Sequence, residues 1–170
     1  MKKVSLIIVA LLLIVSNPIL AQSKKELKKQ AEQKVYTNTK KLIEGGIYTF
    51  EATSANTQKG RRIDLTTSFN SLKINNAHAI ADLPFFGVSQ VSSFKGDGGI
   101  KFDTDNIDYK IEHNNKKNRI TIKFKAKNKA ETFDLFLTIY ADASATLNVS
   151  SSQRDFMSYR GAIKEVLVEK

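Results

Sequence analysis

The chain lacks cysteine and tryptophan, and it has only two histidines and two prolines among 170 residues. Without cysteine, a disulfide framework, a thiol nucleophile and lipid attachment through cysteine are excluded. Two histidines, His78 and His113, are too few for a zinc site of the usual composition. We therefore expect a chain that folds by packing alone, with no metal, no cofactor and no catalytic residues.

The first 21 residues follow the pattern of a secretory signal peptide. Two lysines precede an apolar stretch from Val4 to Val15, and Pro18 and then Ala21 follow it. The apolar stretch is shorter than the ~20 residues that a membrane-spanning helix requires. We predict cleavage after Ala21 and a periplasmic or secreted protein that is not transmembrane, with an uncleaved anchor as the alternative.

Positive charge is concentrated directly after this segment. The net charge is +10, and Ser23 to Glu44 alone carries seven lysines and three glutamates. Ser23 and Glu26 have the spacing of a capping box, and Gly45 with Gly46 supplies a stop signal. The sequence thus predicts an amphipathic helix within residues 22–45, starting at Ser23. Its expected apolar stripe is thin and consists of Leu27, Ala31, Val35, Asn38 and Leu42.

From residue 46 to residue 170 the apolar pattern changes to a period of two, which is typical of β-strands. "IDYKIEH" and "RITIKFKAK" alternate apolar and polar side chains, and short polar turns separate them from further strands. Eight to ten strands after a single helix predict an all-β domain. Neighbouring hairpins in sequence order favour an up-and-down antiparallel β-barrel over a Greek-key sandwich, because a closed meander leaves no free edge.

Several motifs are similar, in the same order, to those of one secreted Bacteroidetes family. These are "QKGRRIDLT", "SLKINNAHAIADLPFFG", "FKGDGGIKFD" and "SSQRDFMSYRGAI". The chain resembles the family known as domain of unknown function 4251 over about residues 47–163. The resemblance implies an envelope or secreted location and a lipocalin-like β-barrel, and it implies no activity.

The stretch "FKGDGGIKFDTDNIDY" invites three interpretations: a phosphate loop, a calcium loop or a corner between strands. Its glycines lead into a strand, so the helix N-terminus of a phosphate loop is missing. In a calcium loop, Asp103 and Asp105 would be followed by a third ligand at Ile107, which has no oxygen in its side chain. We therefore interpret the stretch as a corner.

The apolar loop "LPFFG" offers the best candidate for a binding site. Phe85 and Phe86 would lie at the mouth of the barrel, where small barrels bind ligands, and Arg61, Arg62 or Tyr159 would orient a bound molecule. We expect a non-enzymatic binding protein for a small apolar or amphipathic envelope ligand. The first alternative is a module that docks onto an anionic envelope surface, such as lipid head groups or polysaccharide. A carboxylate-based hydrolase ranks below both, and no nucleic-acid motif is present.

Overall fold

The computed structural model describes residues 17–90, 98–128 and 131–166, with side chains from Lys24 onward. One helix precedes ten strands in this part of the chain. The helix is α1 (Asn17–Glu44), and the strands are β1 (Ile47–Thr57), β2 (Arg62–Asp64), β3 (Ser71–Asn75), β4 (His78–Leu83), β5 (Ile100–Thr104), β6 (Lys110–Asn114), β7 (Arg119–Asn128), β8 (Glu131–Ile139), β9 (Ser144–Ser151) and β10 (Met157–Lys164).

The strands form one curled antiparallel sheet, with the order β5-β4-β3-β1-β10-β9-β8-β7-β6. Apart from the short β2, which pairs with β1 alone, strands that are consecutive in the chain are neighbours except for β5 and β6, which stand at the two ends of this order, and β10 returns to pair with β1. This up-and-down order confirms the predicted all-β fold, in the form of a half-barrel. It does not match the Greek-key alternative, because each strand from β6 to β9 pairs with the next one in the chain.

The two ends of the sheet come together through side chains. Thr104 Oγ1 at the end of β5 donates a hydrogen bond to the Lys127 carbonyl of β7, at 2.8 Å. Asn128 Nδ2 donates to the Lys101 carbonyl of β5, at 2.6 Å. Because β6 pairs only with the first half of β7, the second half is free to meet β5 in this way.

The interior of the curled sheet is filled with apolar side chains. In β8 the residues Phe133, Leu135, Leu137 and Ile139 are buried, while the alternate positions Asp134 and Phe136 face outward. The largest fully buried side chains include Tyr48, Phe50 and Tyr159. Each such side chain stabilises the fold by about 1.5–3 kcal/mol through the removal of apolar surface from water.

The chain divides into two compact units, Met1–Lys34 and Val35–Lys170. In the first unit the described part is helical, and every side chain from Lys24 to Lys34 is exposed. Among the helical residues that the structure describes, none belongs to a stretch long and apolar enough to cross a membrane.

Two details of the predicted helix are wrong. The helix begins at Asn17 and not at Ser23, which is consistent with Pro18 as a good first helical residue after Asn17. The predicted apolar stripe is also not the buried face, because Leu27 and Val35 are exposed. In the second unit the buried helical residues are Tyr36, Thr39 and Ile43, which recur at the spacing of one helix face.

Candidate functional site

The loop after β4, which contains Phe85 and Phe86, is fixed to the rest of the sheet by Tyr159. The Tyr159 side chain is fully buried, and its hydroxyl donates a hydrogen bond to the Pro84 carbonyl at 2.7 Å. Burial raises the pKa of Tyr159 above its ordinary value. Phe85 packs against the core, whereas Phe86 remains partly exposed. The structure therefore places Tyr159 of β10 against the loop that contains Phe85.

A buried ion pair, which the sequence analysis did not identify, lies beside Phe85. Arg154 Nε lies 3.0 Å from Glu131 Oε1 and 2.9 Å from Oε2, and both side chains are almost completely buried. The Arg154 guanidinium also lies over the Phe85 ring, 5.2 Å from its centroid. No local pattern marks either residue, because their contact depends on how the sheet curls.

Arg154 also meets the glycine-rich stretch that we interpret as a corner. Its Nη1 donates to the Gly98 carbonyl at 2.6 Å and to the Gly99 carbonyl at 3.3 Å. A Cβ atom at Gly99 would come within 2.9 Å of the Leu83 carbonyl, so the close approach of the two strands requires glycine there. The part of this stretch before Gly98 lies outside the described residues.

Arg61 and Arg62 are exposed at the hairpin that joins β1 to β2, where the Arg61 carbonyl accepts a hydrogen bond from the Thr57 amide. In the described part of the chain, no hydrogen bond, ion pair or ring contact joins either arginine to Phe85, Phe86 or Tyr159. Of the five residues predicted to form one site, the structure joins Tyr159 to the loop of Phe85 and Phe86.

At the surface, one histidine lies beside the two aspartates that we rejected as calcium ligands. His78 Nε2 lies 2.6 Å from Asp103 Oδ1 on the neighbouring strand and 3.9 Å from Asp105 Oδ1. The hydrogen bond to Asp103 is the main cause that raises the pKa of His78 above its usual value. This arrangement favours a protonated imidazole that joins β4 to β5. Within the described part of the chain, these and the other acidic and histidine side chains form no group of three that could hold a metal ion.

A depression lies on the outward face of β6 to β9. We call it the outer groove, and its volume is about 660 Å³. Its lining begins at the β5–β6 connection and ends at the β9–β10 connection. The lining includes Asp108, Lys110, Lys123, Lys125, Asp134, Phe136, Asn148 and Phe156.

Strand register builds this groove from one row of side chains. Lys110 pairs with Lys123, Lys123 with Phe136, and Phe136 with Asn148 across four successive strands. Phe136 and Phe156 remain 38% and 39% exposed, although large aromatic side chains are usually covered. The Lys123 ammonium lies 5.2 Å from the centre of the Phe136 ring.

The lysines of the outer groove differ in their partners. Lys123 lies 3.2 Å from Glu112, and Lys125 lies 3.0 Å from Asp134. Lys110 makes no ion pair with any residue that the structure describes. The groove thus combines two partly exposed aromatic rings with one lysine that has no ion-pair partner among the described residues, while the Asp108 carboxylate also lies in its lining. The rings and this lysine suit a molecule with an apolar body and an anionic head.

The small side chains of the interior lie within the packed core. Ala79, Ala81, Ala126 and Ala145, the small residues that could leave a cavity, are each at most 3% exposed and belong to the same packed cluster as the large side chains. The Tyr48 hydroxyl is buried there without a hydrogen-bond partner in the described part of the chain. Burial raises the pKa of Tyr48, so this hydroxyl stays neutral.

Comparison with known proteins supports the fold and supplies the family. No curated protein sequence matches this chain. A crystal structure of a DUF4251 family protein from Bacteroides eggerthii is similar, with a TM-score of 0.61 and 18% sequence identity. The similarity covers 80% of this chain and 91% of the other chain, and at this identity it shows the fold alone. The profile named Domain of unknown function (DUF4251) matches residues 29–163, and the chain therefore belongs to that family.

Proposed function

We propose that this chain is an exported, non-enzymatic binding protein that holds one small amphipathic anion in the outer groove. The observation that carries the proposal is the exposure of Phe136 and Phe156 in a depression of about 660 Å³ beside the unpaired Lys110. This volume lies within the range of about 300–1,000 Å³ that is typical of small-molecule sites.

The chemistry of the groove favours a ligand with two distinct ends. The apolar part would cover the two phenylalanine rings, which gain by leaving water. The anionic head would lie near Lys110, at the end of the row opposite Asn148. Lys123 and Lys125 already have carboxylate partners, so they contribute less to the recognition of a negative charge.

The proposed ligand site lies on the outer surface of the sheet, and not inside the barrel or at its mouth. The interior positions are occupied by packed side chains, and Tyr159 and Phe85 serve to fix the loop after β4. An export signal over residues 1–21 would place the groove in the periplasm or outside the cell, where fatty-acid-like and lipid-derived anions are available.

The experiment that tests this proposal is a calorimetric titration of the protein with dodecanoate, a simple amphipathic anion. We expect saturable binding of one molecule, and we expect Phe136→Ala to weaken it at least tenfold. Lys110→Gln should weaken the binding of dodecanoate but not that of the uncharged dodecanol. The matched control is Phe86→Ala, which removes an equally exposed phenylalanine outside the groove and should leave the affinity unchanged.

Two outcomes would contradict the proposal. One is the absence of saturable binding, and the other is binding that Phe136→Ala does not change.

A second candidate function is docking onto an anionic envelope surface, and one observation favours it. The helical residues Lys24 to Lys34 are all exposed and include five lysines and two glutamates. Binding through this segment would weaken as salt rises, since exposed charges are screened over about 8–10 Å. Vesicles that contain anionic lipid would distinguish it, because the intact chain would bind them even with Phe136→Ala.

A further inference from the structure

We propose that a second copy of this chain docks onto the surface around Phe69. This inference is independent of the outer groove and of any ligand. We call the surface the Phe69 patch, and it consists of Phe69 and Val166 with four charged residues, Glu51, Lys73, Lys164 and Glu165. The Phe69 side chain is 102% exposed, so no residue that the structure describes covers it.

The loop that carries Phe69 is firmly fixed on both sides of it. Asn70 is buried, and its side-chain amide donates to the Leu65 carbonyl at 3.1 Å and to the Ser68 carbonyl at 2.8 Å. The Asn70 carbonyl accepts a hydrogen bond from the Ala52 amide of β1 at 2.8 Å. The backbone around Phe69 is therefore fixed, so little loop entropy is lost when its exposed ring binds a partner.

A depression lies directly beside the exposed ring. It has a volume of about 620 Å³, and its lining includes outward-facing residues of β1 and β3 together with the last described residues of the chain. One patch thus contains both a projecting aromatic side chain and a space that can receive one. Such a patch fits itself about a twofold axis, so that each copy would place Phe69 in the depression of the other.

The charges of the patch favour a second copy over an anionic partner. Lys73 and Lys164 are balanced by Glu51 and Glu165, although the whole chain carries a net charge of +10. Like charges that face each other across an interface disfavour association. The Phe69 patch is a place where two such basic chains can meet without this repulsion, and each lysine can face a glutamate of the other copy.

Sedimentation equilibrium over a range of protein concentrations tests the proposal. We expect a monomer–dimer equilibrium whose dissociation constant rises at least tenfold in Phe69→Lys. The matched control is Val88→Lys, which adds the same charge at another exposed apolar residue and should leave the equilibrium unchanged. A near-native circular dichroism spectrum of Phe69→Lys would show that the change acts on association.

A second measurement locates the contact. Because the chain has no cysteine, Thr67→Cys gives a single attachment point for a spin label in the exposed loop. Dipolar spectroscopy should then show one intermolecular distance that Phe69→Lys abolishes. A chain that stays monomeric at millimolar concentration would overturn the proposal, and so would a dimer that Phe69→Lys does not weaken. In the first case the patch would have another occupant, such as residues 167–170 or a different protein.

Discussion

At the residue scale, tight turns show how closely the sequence matches the backbone. Among the residues that the structure describes, four other than glycine have positive φ angles, and three of these are asparagines, which tolerate this conformation. The asparagine at position 76 occupies the β3–β4 turn, as its sequence predicts. The exception is Ala143, with a φ angle of 64° in the β8–β9 turn.

The β8–β9 turn has the hydrogen bonds of a three-residue hairpin loop. The Ala143 amide donates to the Tyr140 carbonyl at 3.1 Å, and the Tyr140 amide donates to the Ser144 carbonyl at 2.9 Å. In this loop type the residue after the type I turn is left-handed and is usually glycine. Ala143 therefore places a Cβ atom where the backbone favours none.

We predict that Ala143→Gly stabilises the protein by about 1 kcal/mol, because it removes the left-handed strain of an alanine. Thermal unfolding should show a midpoint raised by about 2–4 °C for a chain of this size. Ala141→Gly is the matched control in the same turn. Ala141 is not among the residues with positive φ, so its change should be neutral or destabilising. A lower midpoint for Ala143→Gly would contradict this account.

At the element scale, α1 contains two stretches with different surroundings. From Lys24 to Lys34 every side chain is exposed, whereas Tyr36 and Ile43 are buried within the second unit. The Tyr36 hydroxyl also donates to Asn115 Oδ1 of the β6–β7 turn at 3.1 Å. The C-terminal part of the helix therefore belongs to the core of the β-domain.

We predict that removal of the two parts of α1 lowers the free energy of unfolding by different amounts. A chain that begins at Val35 should keep the stability of the β-domain, because every buried helical side chain remains. A chain that begins at Gly45 should lose at least about 3 kcal/mol, since buried Tyr36 and Ile43 are removed. Urea denaturation followed by circular dichroism measures both.

Point variants provide the control for this pair of truncations. Ile43→Ala should destabilise the full chain by about 2–5 kcal/mol, while Leu27→Ala, at a residue that is 63% exposed, should have little effect. Equal stabilities for the two truncated chains would show that the buried helical side chains contribute nothing.

At the scale of the whole molecule, one ion pair joins segments that are far apart in the sequence. Glu131 begins β8, Arg154 lies in the β9–β10 connection, and the carbonyls of Gly98 and Gly99 precede β5. Ser151 Oγ donates a further hydrogen bond to Glu131 Oε1 at 2.7 Å. The pair thus fixes three connections to one another beside the loop after β4.

We predict that Arg154→Met destabilises the protein by about 3–5 kcal/mol, because it leaves the buried Glu131 carboxylate without its partner. The double variant Arg154→Met with Glu131→Leu should recover most of this loss, since neither charge is then buried alone. Arg160→Met, at an exposed arginine of β10, is the control and should change little. Urea denaturation measures all four proteins, and a double variant less stable than Arg154→Met would contradict the argument.

The sequence by itself determined the class of fold, the approximate strands and many of the turns. Alternation along β7 and β8 shows which side chains face inward, and the asparagine turns separate successive strands, because both signals depend on neighbouring residues alone. The end of α1 at Glu44 was also predictable from Gly45 and Gly46.

Only the tertiary structure decided which face of the helix is buried and which side chains share a surface. Tyr36 and Ile43 are buried because they pack against the β-domain. The weak apolar pattern of the helix does not show which of its faces packs in this way. The row of Lys110, Lys123, Phe136 and Asn148 exists only once strand register is fixed. Likewise, Arg154 reaches Glu131 and Gly98 because curling of the sheet brings together residues separated by more than twenty positions.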